Sequence, residues 1–138
     1  MSWVLDASAA LAWAFERTDP QEALQARNLL DRLASEEALV PELWHLEIVN
    51  ALAVAHRRSA IALGRSHDFL ARLTALPIRT YDATWADRRE HLFTLAGEHR
   101  LTAYDAVYLD LAMRTGSALA TFDRRLAEAR DKVGIAPA

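Results

Sequence analysis

There is no cysteine in this chain of 138 residues, and there are only four glycines, four prolines and a single lysine. The first absence excludes disulfides and any thiolate metal site, and it suits a reducing cytoplasm. Scarce glycine and proline leave no flexible linker or low-complexity segment, and no repeat is present. The chain therefore reads as one domain over residues 1–138, long enough to bury a core without staples. No apolar run approaches the length of a membrane span. A secretory signal is not expected, because a basic N-terminal segment is missing and Asp6 interrupts the first apolar run. Nor does a charge excess announce a nucleic-acid partner, since the formal net charge is −3. Fifteen of the sixteen basic residues are arginine. Genome composition explains that bias, which also suits phosphate recognition. The expected setting is cytoplasmic, with no membrane contact.

What is present is an alternation of short apolar strands with helical stretches. Strands are expected at residues 3–5, 38–40, 78–81 and 118–122, with Ile135 in a last edge strand. Helices are expected over residues 7–15, 42–56, 84–99, 102–114 and 124–132. Asp19-Pro20 is a helix start, an N-cap acid followed by proline at the first helical position. Leu24, Leu29, Leu30 and Leu33 give that helix an apolar stripe up to Ser35. After Gly64, Ser66 is expected to cap a helix carrying Phe69, Leu70 and Leu73. Pro41 and Pro77 punctuate the chain, and Gly116 closes the helix begun at Thr102. The alternation predicts an α/β fold with a parallel sheet covered on both faces. In such sheets ligands sit beyond the carboxyl ends of the strands, where Asp6 and Asp123 fall.

Four acids interrupt apolar surroundings. Asp6 follows Trp3-Val4-Leu5 and precedes a run of alanines, with Ser8 close by. Glu47 shares a helical face with Leu43, Asn50, Ala51 and Val54, which places it in an apolar arc beside Asn50. Asp105 shares a face with Leu101, Tyr108, Leu109 and Ala112. Asp123 follows Ala118–Phe122, with Thr121 on the same side of that strand. Each has an ordinary structural alternative. Glu47 could be paired with an arginine, Thr102–Asp105 resembles a capping box, and Asp123 and Asp6 could be N-caps. Asp110 serves as a control, expected as a solvated surface pair with Arg114. A buried carboxylate otherwise needs a partner or a metal. If the fold gathers the four acids, an all-oxygen set selects a hard cation, Mg²⁺ or Mn²⁺. Phosphodiester hydrolysis is the typical chemistry of such a site. Crowded carboxylates without metal should also raise at least one carboxyl pKa. No phosphate loop, serine-histidine-aspartate spacing or histidine metal motif competes, and the five histidines read as surface or structural.

The stretches VLDASAALAW, PELWHLEIVNAL, LTAYDAVYLDLA and LATFDRRL, in this order and spacing, resemble the PIN-domain nucleases, and in particular VapC-like toxins of toxin–antitoxin pairs. The resemblance implies a three-layer α/β/α sandwich with a short parallel sheet, and a Mg²⁺- or Mn²⁺-dependent endoribonuclease acting on cellular RNA. It implies Asp6, Glu47, Asp105 and Asp123 as catalytic and metal-binding acids, with Ser8, Asn50 and Thr121 as accessory polar residues. Asp6 and Asp105 would be the main ligands, Glu47 a ligand or a holder of the attacking water, and Asp123 a ligand of a second metal or of a metal-bound water. A cognate antitoxin protein and a homodimer are the implied partners. The apolar far side of the 42–56 helix, which includes Val49 and Leu52, could be covered by the following helix, by a second subunit in such a dimer, or by an antitoxin segment. Arg124, Arg125, Arg88 and Arg89 are candidates for phosphate contacts or for plain solvated surface. The alternatives are a PIN-type nuclease of RNA maturation or DNA flaps, and a catalytically inactive binding domain. A haloacid-type phosphatase also has an aspartate after its first strand, but it needs a second two residues on, where this chain has Ser8.

Overall fold

A computed structural model describes residues 1–81 and 83–138. Its strands are β1 (Ser2–Leu5), β2 (Glu37–Val40), β3 (Ile78–Thr80) and β4 (Ala118–Ala120). They form one sheet in the order β3-β2-β1-β4, and every pairing is parallel. The helices of the described residues are α1 (Ala7–Leu11), α2 (Pro20–Arg32), α3 (Glu42–Arg57), α4 (Leu63–Ala75), α5 (Trp85–His99), α6 (Ala103–Thr115) and α7 (Arg124–Lys132). Trp3, Val4 and Leu5 in β1 are all fully buried. Successive strand residues point to opposite faces, so helices must cover the sheet on both sides. This is the expected α/β/α sandwich.

The strand order carries the functional consequence. From β1 the chain steps outward to β2 and β3, then returns to the other side of β1 as β4. The order thus reverses between β1 and β4, the place where open α/β sheets leave a crevice at their carboxyl ends. The Asp6 N–H donates to Ala120 O at 2.9 Å, extending the β1–β4 ladder one residue past β1.

Local chemistry explains most boundaries. Asp19 caps α2 by accepting from Gln21 N–H at 2.9 Å, with Pro20 at the first helical position. Gly116 ends α6 at φ 62°, a left-handed conformation that glycine adopts without penalty. Pro41 stops β2 and opens α3. Among the described residues no helix is long and apolar enough to cross a membrane.

Several expectations need correction. The first helix stops at Leu11 rather than Phe15, and residues 12–15 continue as turns. Helix α2 stops at Arg32, and its stripe is Ala26, Leu29 and Leu33, while Leu24 and Leu30 lie exposed. Ser66 does not cap α4: that helix begins at Leu63, and Ser66 sits buried inside it with no partner for its hydroxyl. At the end of the chain, Pro137 rather than Ile135 makes a parallel bridge to Leu119. On α3 the buried stripe is Leu43, Trp44, Ile48 and Leu52, so Leu52 faces the core, whereas Leu46 and Val49 are exposed.

The largest correction concerns Asp110. It is buried, not solvated. Arg88 donates to it through both Nε and Nη2, Arg114 Nε approaches at 3.0 Å, and His91 Nε2 lies 3.3 Å away. The Arg114 partner is the one expected at i+4, but Arg88 and His91 come from α5. Asp110 thereby clamps α5 onto α6, and Arg88 is committed to that clamp rather than to a phosphate.

Candidate functional site

Asp6 sits at the junction of β1 and α1, 3 % exposed. It occupies the N-cap position of α1, yet its side chain makes no capping bond. Its Oδ2 instead accepts two hydroxyl donors, Ser8 Oγ and Thr121 Oγ1, each at 2.6 Å. Ser8 Oγ accepts from Phe122 N–H at 2.9 Å, and Thr121 Oγ1 accepts from Asp123 N–H at 2.9 Å. The two hydroxyls therefore relay the backbone after β4 onto the carboxylate after β1. This network is local in space but spans the chain, and it is built where the strand order reverses. Burial pushes the Asp6 pKa up, and the nearby Asp123 charge adds to the shift. The hydroxyl donors of Ser8 and Thr121 and the Ala7 backbone oppose it.

Asp123 fills the helix-cap role suggested for it: Oδ1 accepts from Leu126 N–H at 2.9 Å at the start of α7. One oxygen is spent on the cap, and the negative charge still reaches Asp6 and Asp105. Asp105 stands in the first turn of α6. The cap there is Thr102, whose Oγ1 accepts from Asp105 N–H at 3.1 Å. Capping thus uses the backbone of Asp105, and its carboxyl is not needed for it. That carboxyl is pushed up to about 6, first by burial, then by the charges of Asp123, Asp6 and Glu47, with the Thr102 hydroxyl opposing. Glu47 is half-buried on the flank of the α3 stripe rather than in its middle. Burial raises its pKa, a hydrogen bond from Tyr108 lowers it, and Asp6 raises it further.

The four acids thus act on one another across four elements of the chain. Asn50 does not join them: it is exposed on α3 and makes no hydrogen bond to the acids among the described residues. Arg124 and Arg125 are exposed at the start of α7, and Arg124 faces Glu128 at 3.7 Å. Arg89 is exposed as well.

Tyr108 was legible in the sequence only as a neighbour of Asp105 on one helical face. It is fully buried, and its hydroxyl donates to Glu47 Oε1 at 2.5 Å. Burial and the charges of Asp6 and Glu47 push the phenol pKa well up, so the O–H remains a donor. A buried tyrosine needs a partner for its hydroxyl. The sequence signal was Asp105 and Tyr108 at i and i+3, but the acceptor lies 61 residues away.

Among the described residues none of the four acids pairs with an arginine, lysine or histidine. Nor do any three histidine, aspartate or glutamate side chains there already close into a metal cage. The donor chemistry nevertheless fits a hard divalent cation: carboxylate oxygens and two hydroxyls, pKa values raised first by burial and then by neighbouring carboxylates, and no neutralising side chain. For a cation to be held there, the half-buried Glu47 and Asp105 side chains would have to adjust around Asp6.

Comparison with known proteins bears on this arrangement. The PIN domain model matches residues 3–132, from the first strand through α7. Ribonuclease VapC3 of Pyrobaculum aerophilum is 31% identical over 132 residues, 93% of this chain and 94% of that protein. The crystal structure of PAE2754 from Pyrobaculum aerophilum shares the fold with a TM-score of 0.71 at 21% identity, covering 94% of this chain and 84% of that one. With nearly all of its length matched, from the strand before Asp6 to the helix after Asp123, the chain belongs to the PIN-domain family.

Proposed function

We propose that this protein is a divalent-metal-dependent endoribonuclease, the toxin of a toxin–antitoxin pair. One observation carries the reading: around the point where the strand order reverses, Asp6, Glu47, Asp105 and Asp123 lie within reach of one another's charge, and no cation among the described residues neutralises them. The name of the relative, a ribonuclease, supports RNA as the substrate. Asp6 and Asp105 would hold Mg²⁺ or Mn²⁺, Asp123 would contribute its uncapped oxygen directly or through water, and Glu47 would bind the cation or hold the attacking water. When bound, the cation lowers the pKa of water and neutralises charge on the leaving oxygen. Ser8 and Thr121 hold Asp6 Oδ2 and fix the rotamer of that carboxylate.

A cognate antitoxin is the proposed protein partner. Self-association is proposed through the exposed Leu46 and Val49 of α3. The deciding experiment is RNA cleavage by protein purified free of any partner. Cleavage should require Mg²⁺ or Mn²⁺, stop with EDTA, and fall by roughly a thousand-fold or more in Asp6→Ala, the loss of several kcal/mol of charge stabilisation. Undiminished cleavage by Asp6→Ala would sink the assignment.

A further inference from the structure

We propose that Tyr108 is a positioning residue for the acid cluster: its buried hydroxyl fixes Oε1 of Glu47, so that Oε2 is the oxygen presented to a bound divalent cation. The inference rests on the metal-dependent reading above. Its basis is geometric. Glu47 lies on the edge of the α3 stripe, between buried Ile48 and exposed Leu46. A glutamate there has three side-chain torsions and a free path to solvent, so helix packing alone does not orient it. The bond from Tyr108 at 2.5 Å supplies the missing restraint.

Tyr108 is itself held. It is 0 % exposed within the hydrophobic core, and the rigid ring leaves its hydroxyl little freedom. It stands one helical turn from Asp105, so α6 delivers both a candidate ligand and the restraint on another. The phenol also lies within the fields of both Asp6 and Glu47, so it borders two of the four acids. Among the described residues Oε2 of Glu47 makes no hydrogen bond or ion pair. A ligand held by a donor on one oxygen and open on the other is the usual arrangement of a carboxylate whose outer partner orients it.

The test is a double-mutant cycle on Mn²⁺ affinity, measured by titration calorimetry on metal-free protein. Tyr108→Phe keeps the ring in the core and removes only the hydroxyl, and Glu47→Ala removes its acceptor. Tyr108→Phe should weaken Mn²⁺ binding about 10-fold or more, as loss of such outer partners does. In the Glu47→Ala background the same change should alter it less than about two-fold. A residue that only fills the core would leave Mn²⁺ affinity unchanged in Tyr108→Phe, and that result overturns the inference. An equal loss with and without Glu47 overturns it as well, because the effect would not pass through Glu47. The wild type is the control for the underlying reading: if it binds no Mn²⁺, the metal site itself is wrong and the inference falls with it. Should Tyr108→Phe fold poorly, Glu47→Gln keeps the acceptor for Tyr108 but removes the charge. It should then lose Mn²⁺ affinity while keeping the melting temperature of the wild type, and unaltered affinity would count against Glu47 as a ligand.

Discussion

Two buried aspartates, Asp6 and Asp110, are exposed by only 3 % and 2 %, yet they live in opposite worlds. Asp110 is gripped by Arg88 and Arg114 with His91 beside it, and its charge is neutralised by the protein itself. Asp6 receives two neutral hydroxyls and the fields of three further acids. Burying an unneutralised carboxylate costs stability. A chain that surrounds one buried acid with arginines has the means to do the same for another. The acid left without a cation is therefore the one to which the proposed function assigns a cation from solution, whereas the clamped acid holds two helices together.

The sharpest way to break this contrast is to neutralise each acid in turn. Asp110→Asn should leave Arg88 and Arg114 without a counter-charge. Loss of one partner from a buried pair costs about 3–5 kcal/mol. The two guanidiniums keep side-chain exposures of 31% and 27%, so we expect roughly 2–3 kcal/mol and a fall in melting temperature of about 5–10 °C. Mn²⁺ should still raise the melting temperature of that mutant. Asp6→Asn should do the reverse, with an apo melting temperature no lower than wild type and no response to Mn²⁺. If both mutants melted early and both still answered to Mn²⁺, the two acids would be equivalent and the contrast would be lost.

A finer comparison sets Asp105 against its own helix cap. Its folded pKa of about 6 lies above the ordinary aspartate value of 3.8. A raised carboxyl pKa means that the ionised form destabilises the fold: stability is fully present below the unfolded pKa and is lost as pH rises through about 6. Asp105→Asn should then stabilise the apo protein above pH 7, by about 1 kcal/mol once the half-exposed position is allowed for. The gain should shrink as pH falls through about 6 and vanish below about pH 3, where the carboxyl is protonated in the folded and the unfolded chain alike. Because the cap is the Thr102 hydroxyl on a backbone N–H, it survives the substitution. Melting curves across pH decide the matter, and a mutant less stable at pH 8 would mean that the carboxyl itself was the cap.

The smallest effect is expected at the rim. Arg124 and Glu128 are 92% and 66% exposed and 3.7 Å apart. Arg124→Ala should change stability by less than about 0.5 kcal/mol. If it nonetheless weakens RNA cleavage at low salt and not at high salt, Arg124 contacts phosphate rather than idling as surface charge.

Most of this fold was written in local chemistry. An aspartate followed by proline started α2, a glycine ended α6, and short apolar runs marked β1, β2 and β4, because caps, left-handed turns and two-sided burial each depend on residues within a few positions. The position of Asp6 directly after β1 was legible for the same reason, whereas β4 stops at Ala120 rather than at residue 122 and leaves Asp123 three residues beyond it. The helical faces were less so. Periodicity placed Glu47 amid an apolar arc and Asp110 in solvent, since a pattern of apolar residues on one helix does not say which side the sheet will cover. Only the tertiary structure decided that β4 returns beside β1, that Ser8 and Thr121 share one oxygen of Asp6, and that α5 brings Arg88 to Asp110 and α3 brings Glu47 to Tyr108. Apart from Ser8, which is two residues from Asp6, those partners are between 22 and 115 residues apart. Hydrogen bonds and charges act through space over a few ångströms, and nothing in the local sequence encodes which distant segment will arrive there.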